Sequence, residues 1–90
     1  MRDEVLLGVL LSVMDLSEKD CTDGKGEVVL DIAHQWAFTY HKQGDRLGEL
    51  VAAAACWYAK AFAPNPTPRL SCFPRCLWCL GEALLLMSEV

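Results

Sequence analysis

"RLGELVAAAACWYAKAF", Arg46–Phe62, repeats its apolar side chains at a helical interval. Leu47, Leu50, Val51, Ala54, Trp57, Tyr58, Ala61 and Phe62 follow i, i+3, i+4, i+7 spacing, which gathers them into one stripe along an α-helix. The opposite side, Ala52, Ala53 and Cys56, is small enough for another helix to approach closely. Strand alternation is absent here and weak everywhere else in the chain.

Upstream, Asp45 is placed to cap this helix, and Gly44 is a natural C-terminal stop for the one before it. That preceding segment, "EVVLDIAHQWAFTYHK", predicts a helix over Glu27–Lys42. "SEKDCTDGKG", Ser17–Gly26, is polar and aperiodic with two glycines, and reads as a loop. A first helix is expected over Asp3–Leu16. Downstream, "APNPTPR" (Ala63–Arg69) holds three prolines in five residues and imposes an extended path. A fourth helix begins near Ser71 to Pro74, since proline is tolerated in a first turn, and runs on through "LWCLGEALLLMSEV". The expectation is an all-α single domain, residues 1–90, built as a compact bundle of about four helices. Tryptophans at 36, 57 and 78 do not mark a repeat, because their flanks differ; three helices each giving one central Trp to a shared core accounts for the spacing.

Composition narrows the function classes. The chain is 53% hydrophobic and 22% charged, which is globular rather than disordered. Its net charge of −4 is uneven: eight acids against three bases in residues 1–31, four against five thereafter. Nonspecific nucleic-acid binding needs a basic surface and is not expected. "VLLGVLLSVM", Val5–Met14, is too short to span a bilayer, and its flanks are not those of a signal peptide, so no membrane partner is expected. The expected compartment is reducing cytoplasm.

"SCFPRCLWCLG", Ser71–Gly81, spaces Cys72, Cys76 and Cys79 as C-x3-C-x2-C. That is the cluster-binding spacing of radical-SAM enzymes, but those mount it on a loop of a barrel-type domain that this chain has no strands to build. On one helix the outer two cysteines lie roughly 10 Å apart along the axis. Thiolates sharing a tetrahedral zinc must lie within roughly 4 Å of each other. The expectation is therefore three small apolar core residues, continuing with Ala83 in one stripe that faces another helix, with no metal and no cofactor. A scaffold stabilised by a metal on Cys72, Cys76 and Cys79 is the competing reading.

Glu27, Asp31 and His34 lie at i, i+4, i+7 on the second helix, and Glu49 opens the third. They form a candidate nucleotide or magnesium face, comparable with the acidic pairs of all-α nucleoside-triphosphate pyrophosphatases. The comparison stops there: Glu49 has no acidic partner at 52 or 53, and Glu27–Asp31 is spaced by four. His34 and His41, two turns apart, cannot chelate one ion from a straight helix. No nucleophile has a paired base, and "DGKGE" is no phosphate loop.

"WAFTYHKQGDRLGELVAAAACWYAKAF" resembles a block found in small phage- and prophage-encoded helical proteins: a Trp, a His/Asp-rich loop, then G-E-L-A-x-A-A-x-x-Y-A. Trp36, His41, Gly48, Glu49, Leu50, Ala53, Ala54, Tyr58 and Ala59 correspond. The ending "PRCLWCLGEALLLMSEV" is similar to that set's closing helix, and together the two cover about half the chain. Where the set has H-D-D-x-H, this chain has "HKQGD", without the paired aspartates or second histidine. The resemblance implies a phage or mobile-element origin and brings no activity with it.

The function expected is accordingly non-catalytic: binding of a host protein, such as a nucleic-acid-binding defence component, as an anti-CRISPR-type inhibitor does. Asp15, Glu18, Asp20 and Asp23 are the expected contact rim, and the apolar surplus suggests a homodimer. The alternative is a nucleotide-binding or nucleotide-sequestering protein using Glu27, Asp31, His34 and Glu49 with magnesium.

Overall fold

The computed structural model describes residues 2–20, 26–62 and 69–88. They form four helices: α1 Arg2–Asp20, α2 Gly26–Gln43, α3 Arg46–Phe62 and α4 Cys72–Ser88. No strand occurs among the described residues, so the fold is an all-α bundle, as the periodicity implied.

The α2–α3 corner follows directly from "GD" at 44 and 45. Gly44 adopts φ +71°, a left-handed conformation that glycine enters without a Cβ penalty. Its N–H donates to the His41 carbonyl at 3.1 Å, and the Asp45 N–H donates to the Tyr40 carbonyl at 3.0 Å, closing α2. Asp45 then starts α3. Its Oδ1 accepts the Gly48 N–H at 3.1 Å, and its carbonyl accepts the Glu49 N–H at 2.9 Å. Gly48 serves a second purpose: a Cβ there would lie 2.6 Å from the Tyr40 ring, so its absence lets that ring cover the start of α3.

α3 is the axis of the molecule. α1, α2 and α4 all pack against it, α1 also touches α2, and among the described residues α4 packs on α3 alone. The 44–45 corner makes α2 antiparallel to α3. Tyr58 donates its hydroxyl hydrogen to Glu18, which sets the end of α1 beside the second half of α3 and makes the two parallel. Phe73, at the start of α4, stacks with Tyr58 and Phe62 at centroid separations of 5.8 and 6.1 Å, so α4 runs back antiparallel to α3.

A helix enclosed on three sides must be slender, and α3 is. Gly48, Leu50, Val51, Ala52, Ala54, Ala55, Cys56, Ala59 and Ala61 are buried, covering more of its circumference than one stripe. Leu6, Leu10 and Val13 of α1, Val29 and Ala33 of α2, and Cys76, Cys79 and Ala83 of α4 complete the core. Burying each larger aliphatic side chain contributes about 1.5–3 kcal/mol. Cys56, Cys72, Cys76 and Cys79 are free and buried, so α4 presents the expected cysteine–alanine stripe to α3.

The structure corrects three expectations. The tryptophans do not share a central core: Trp36 and Trp57 sit half-buried at its margin, and Trp78 faces solvent. Trp57, Tyr58 and Phe62 are likewise half-buried, because small residues occupy the closest contacts of α3. Ser17 does not begin a loop, since α1 continues for a further turn. Its hydroxyl donates to the Val13 carbonyl at 2.7 Å, which satisfies a polar group that is otherwise fully enclosed. The proline segment expected to be extended lies outside the described residues save Arg69, whose N–H donates to the Ala61 carbonyl at 2.7 Å.

Candidate functional site

The spacing of Cys72, Cys76 and Cys79 raises the question of a metal site. Among the described residues no group of three or more His, Cys, Asp or Glu side chains is placed to hold a metal ion. Burial raises the pKa of Cys56 to about 11, with Cys79 nearby adding to the effect. Cys76 is raised by burial and by Cys79, while Cys79 is raised by burial against an opposing pull from Arg46. Neutral, enclosed thiols of this kind behave as small hydrophobes and are poor nucleophiles.

The acid–histidine face does not assemble. Glu49 pairs with His41, Oε1 to Nδ1 at 3.1 Å, at the 44–45 corner. Glu27 lies at the far end of α2, fourteen residues or about 21 Å along the axis from His41. Asp31 and His34 are exposed between these extremes. One magnesium ion therefore cannot engage Glu27 and Glu49 together, and the four residues do not form one site. The side chain of Glu27 lies outside the described residues.

The acidic rim divides in a similar way. Asp15 and Glu18 are exposed on α1, and Glu18 accepts the Tyr58 hydroxyl. Burial, and then this bond, push Tyr58 up to about 12. Asp23 and the side chain of Asp20 lie outside the described residues.

Two clefts flank Trp57. One, of about 230 Å³ and mainly apolar, lies between α2 and α3 and is lined by His34, Ala37, Ala53, Cys56, Trp57 and Lys60. The other, of about 300 Å³ and more polar, lies at the start of α4 among Trp57, Lys60, Arg69, Ser71 and Arg75. Lys60 Nζ and Arg75 Cζ lie 4.9 and 4.8 Å from the Trp57 ring centroid, so the indole itself engages two of these cations.

An apolar stripe also lies on the outside of α4. α4 buries Cys72, Cys76, Cys79 and Ala83 on one side. On the opposite side Leu77, Trp78, Leu84 and Leu85 each keep 59–67% of their surface exposed. At 100° per residue, 77, 78, 81, 84 and 85 fall within an arc of about 120°, so these side chains and Gly81 form one continuous stripe. No charged residue lies within it. Sequence reasoning followed only the cysteine side of this helix. The missed signal was that, Glu82 apart, "LWCLGEALLLM" is apolar all round, as a helix covered on both faces would be.

No family model, no curated protein and no solved structure matches the chain. No helix among the described residues is long and apolar enough to cross a membrane.

Proposed function

We propose that this chain is a non-catalytic binding protein that acts by docking a protein on the outer face of α4. The supporting observation is the stripe of Leu77, Trp78, Leu84 and Leu85, held rigidly on a helix whose other side is anchored in the core. Monomeric proteins seldom expose contiguous apolar patches beyond a few hundred Å² unless those patches bind something. A large aromatic within such a patch is the residue type that most often anchors an interface.

The resemblance to phage-encoded proteins extends the proposal to origin and target. A host protein, such as a component of bacterial defence, is the further partner, and it meets the acidic residues Asp15, Glu18, Asp20 and Asp23 rather than the α4 face. Glu18 lies beside Tyr58, and Tyr58 packs on Phe73 at the start of α4.

The experiment places a photo-crosslinking benzoylphenylalanine at position 78 of the full chain in cells, with the same residue at position 34 of α2 as control. The expected result is a discrete adduct from position 78 that Leu84→Glu abolishes without loss of helicity, and none from position 34. Absence of any adduct from position 78 overturns the proposal.

A further inference from the structure

We infer that the α4 face is occupied by a second copy of this chain, its α4 laid antiparallel across the first with Gly81 on the two-fold axis. This rests on the reading of α4 as a docking face and names what docks there.

The first argument is symmetry. Around Gly81 the exposed apolar residues are placed evenly: Trp78 and Leu84 at three residues to either side, Leu77 and Leu85 at four. A two-fold axis through Gly81 pairs each residue with its counterpart at equal distance. Leu77 meets the partner's Leu85, Trp78 meets the partner's Leu84, and exposed Pro74 meets the partner's Ser88. An isologous interface requires this self-complementarity, and a foreign partner does not.

Gly81 itself is the second argument. A Cβ built on it meets nothing within 4 Å, and Gly44 is the one described glycine with positive φ. Nothing among the described residues of a single copy therefore calls for glycine, which weakens a helix interior relative to alanine. Where two helices cross, the missing side chain lets their axes approach to the lower end of the usual spacing of about 8–10 Å. Gly8 of α1 is equally open and has exposed Val5 and Leu11 at three residues to either side, but Glu4 and Ser12 at four, where Gly81 has Leu77 and Leu85.

Area is the third. Four large apolar side chains exposed by 59–67% present on the order of 500 Å² per copy, against about 800 Å² per partner in a standard interface. The remainder comes from the flanks of α4, against which no described helix other than α3 packs.

The test begins with native mass spectrometry and sedimentation of the full chain at micromolar concentration. The expected species is twice 10.0 kDa. Leu84→Glu acts on both halves of the interface and weakens dimerisation by about a hundred-fold or more, with far-UV circular dichroism unchanged. Leu77→Lys serves as the second variant should Leu84→Glu lose helicity. Under mild oxidation Gly81→Cys forms a covalent dimer, because α-carbons facing across the axis fall within disulfide range, whereas wild type and Gly8→Cys do not. A 10.0 kDa species alone, or a dimer that resists both stripe variants and is not trapped by Gly81→Cys, overturns the inference. The position-78 adduct separates the two proposals. Masses at whole multiples of the chain support the second copy. An adduct of another mass from a monomeric chain overturns the second copy and leaves the docking face standing, while no adduct removes both.

Discussion

Gly48 shows how far one missing methyl group reaches. The Tyr40 ring occupies the space a Cβ would need, at 2.6 and 2.7 Å from its two nearest atoms, and the Asp45 carboxylate closes the third side at 2.9 Å. The ring atoms involved lie close to the Tyr40 backbone and have little room to yield. Gly48→Ala gains helix propensity but forces the ring off α3, and its net effect is a loss of about 1–3 kcal/mol, read as a lower urea midpoint at unchanged m-value. Much at this scale was legible in the sequence: the αL stop at Gly44, the cap at Asp45 and the burial of Cys72, Cys76 and Cys79 all followed from residue chemistry. The partner of Glu49 was not, because pairing with His41 depends on how the corner folds the two helices together.

Among the elements, α3 was read with the correct ends because both are marked chemically, by Asp45 before it and by prolines after it. α1 was read a turn short. Ser17-Glu18-Lys19-Asp20 looks like the start of a loop, yet the helix carries on because Ser17 satisfies its hydroxyl on Val13 and Glu18 finds Tyr58 forty residues away. Long-range partners of this kind leave no local trace. The cap makes a prediction for the element as a whole. Asp45→Ala removes the acceptor of the Gly48 N–H and costs about 0.5–2 kcal/mol. Hydrogen exchange accelerates in the first turn of α3 and remains slow at Ala54 and Ala55. Equal acceleration along the whole helix argues against a local cap.

Across the whole molecule, burial of ionisable thiols links stability to alkaline pH. Cys56 ionises near 9.0 when unfolded and about 11 when folded. As pH rises through this window the unfolded chain loses its proton first, so the folded state is disfavoured and stability falls. Tyr58, raised from 10.0 to about 12, adds a loss of the same sign at higher pH. The melting temperature is expected to hold below pH 9 and decline above it, with a shallower decline in Cys56→Ala. An unchanged slope in that variant shows that Cys56 is not a source. The all-α class was legible from periodicity, but the outward position of Trp78 was not. Hydrophobicity says that a residue is apolar, whereas the shape of the neighbouring helix decides whether it fits inside.

That division of side chains by size has a consequence for how such a protein changes over generations. The frame is held by alanines, cysteines and short aliphatics, which leave little space for novelty: almost any enlargement strikes a neighbouring helix. Bulky residues lie outside, where Leu77, Trp78, Leu84 and Leu85 contribute little to internal cohesion. Substitutions there leave intact what keeps each chain folded. A lineage built on this plan is free to vary its outer α4 face at small risk to its architecture.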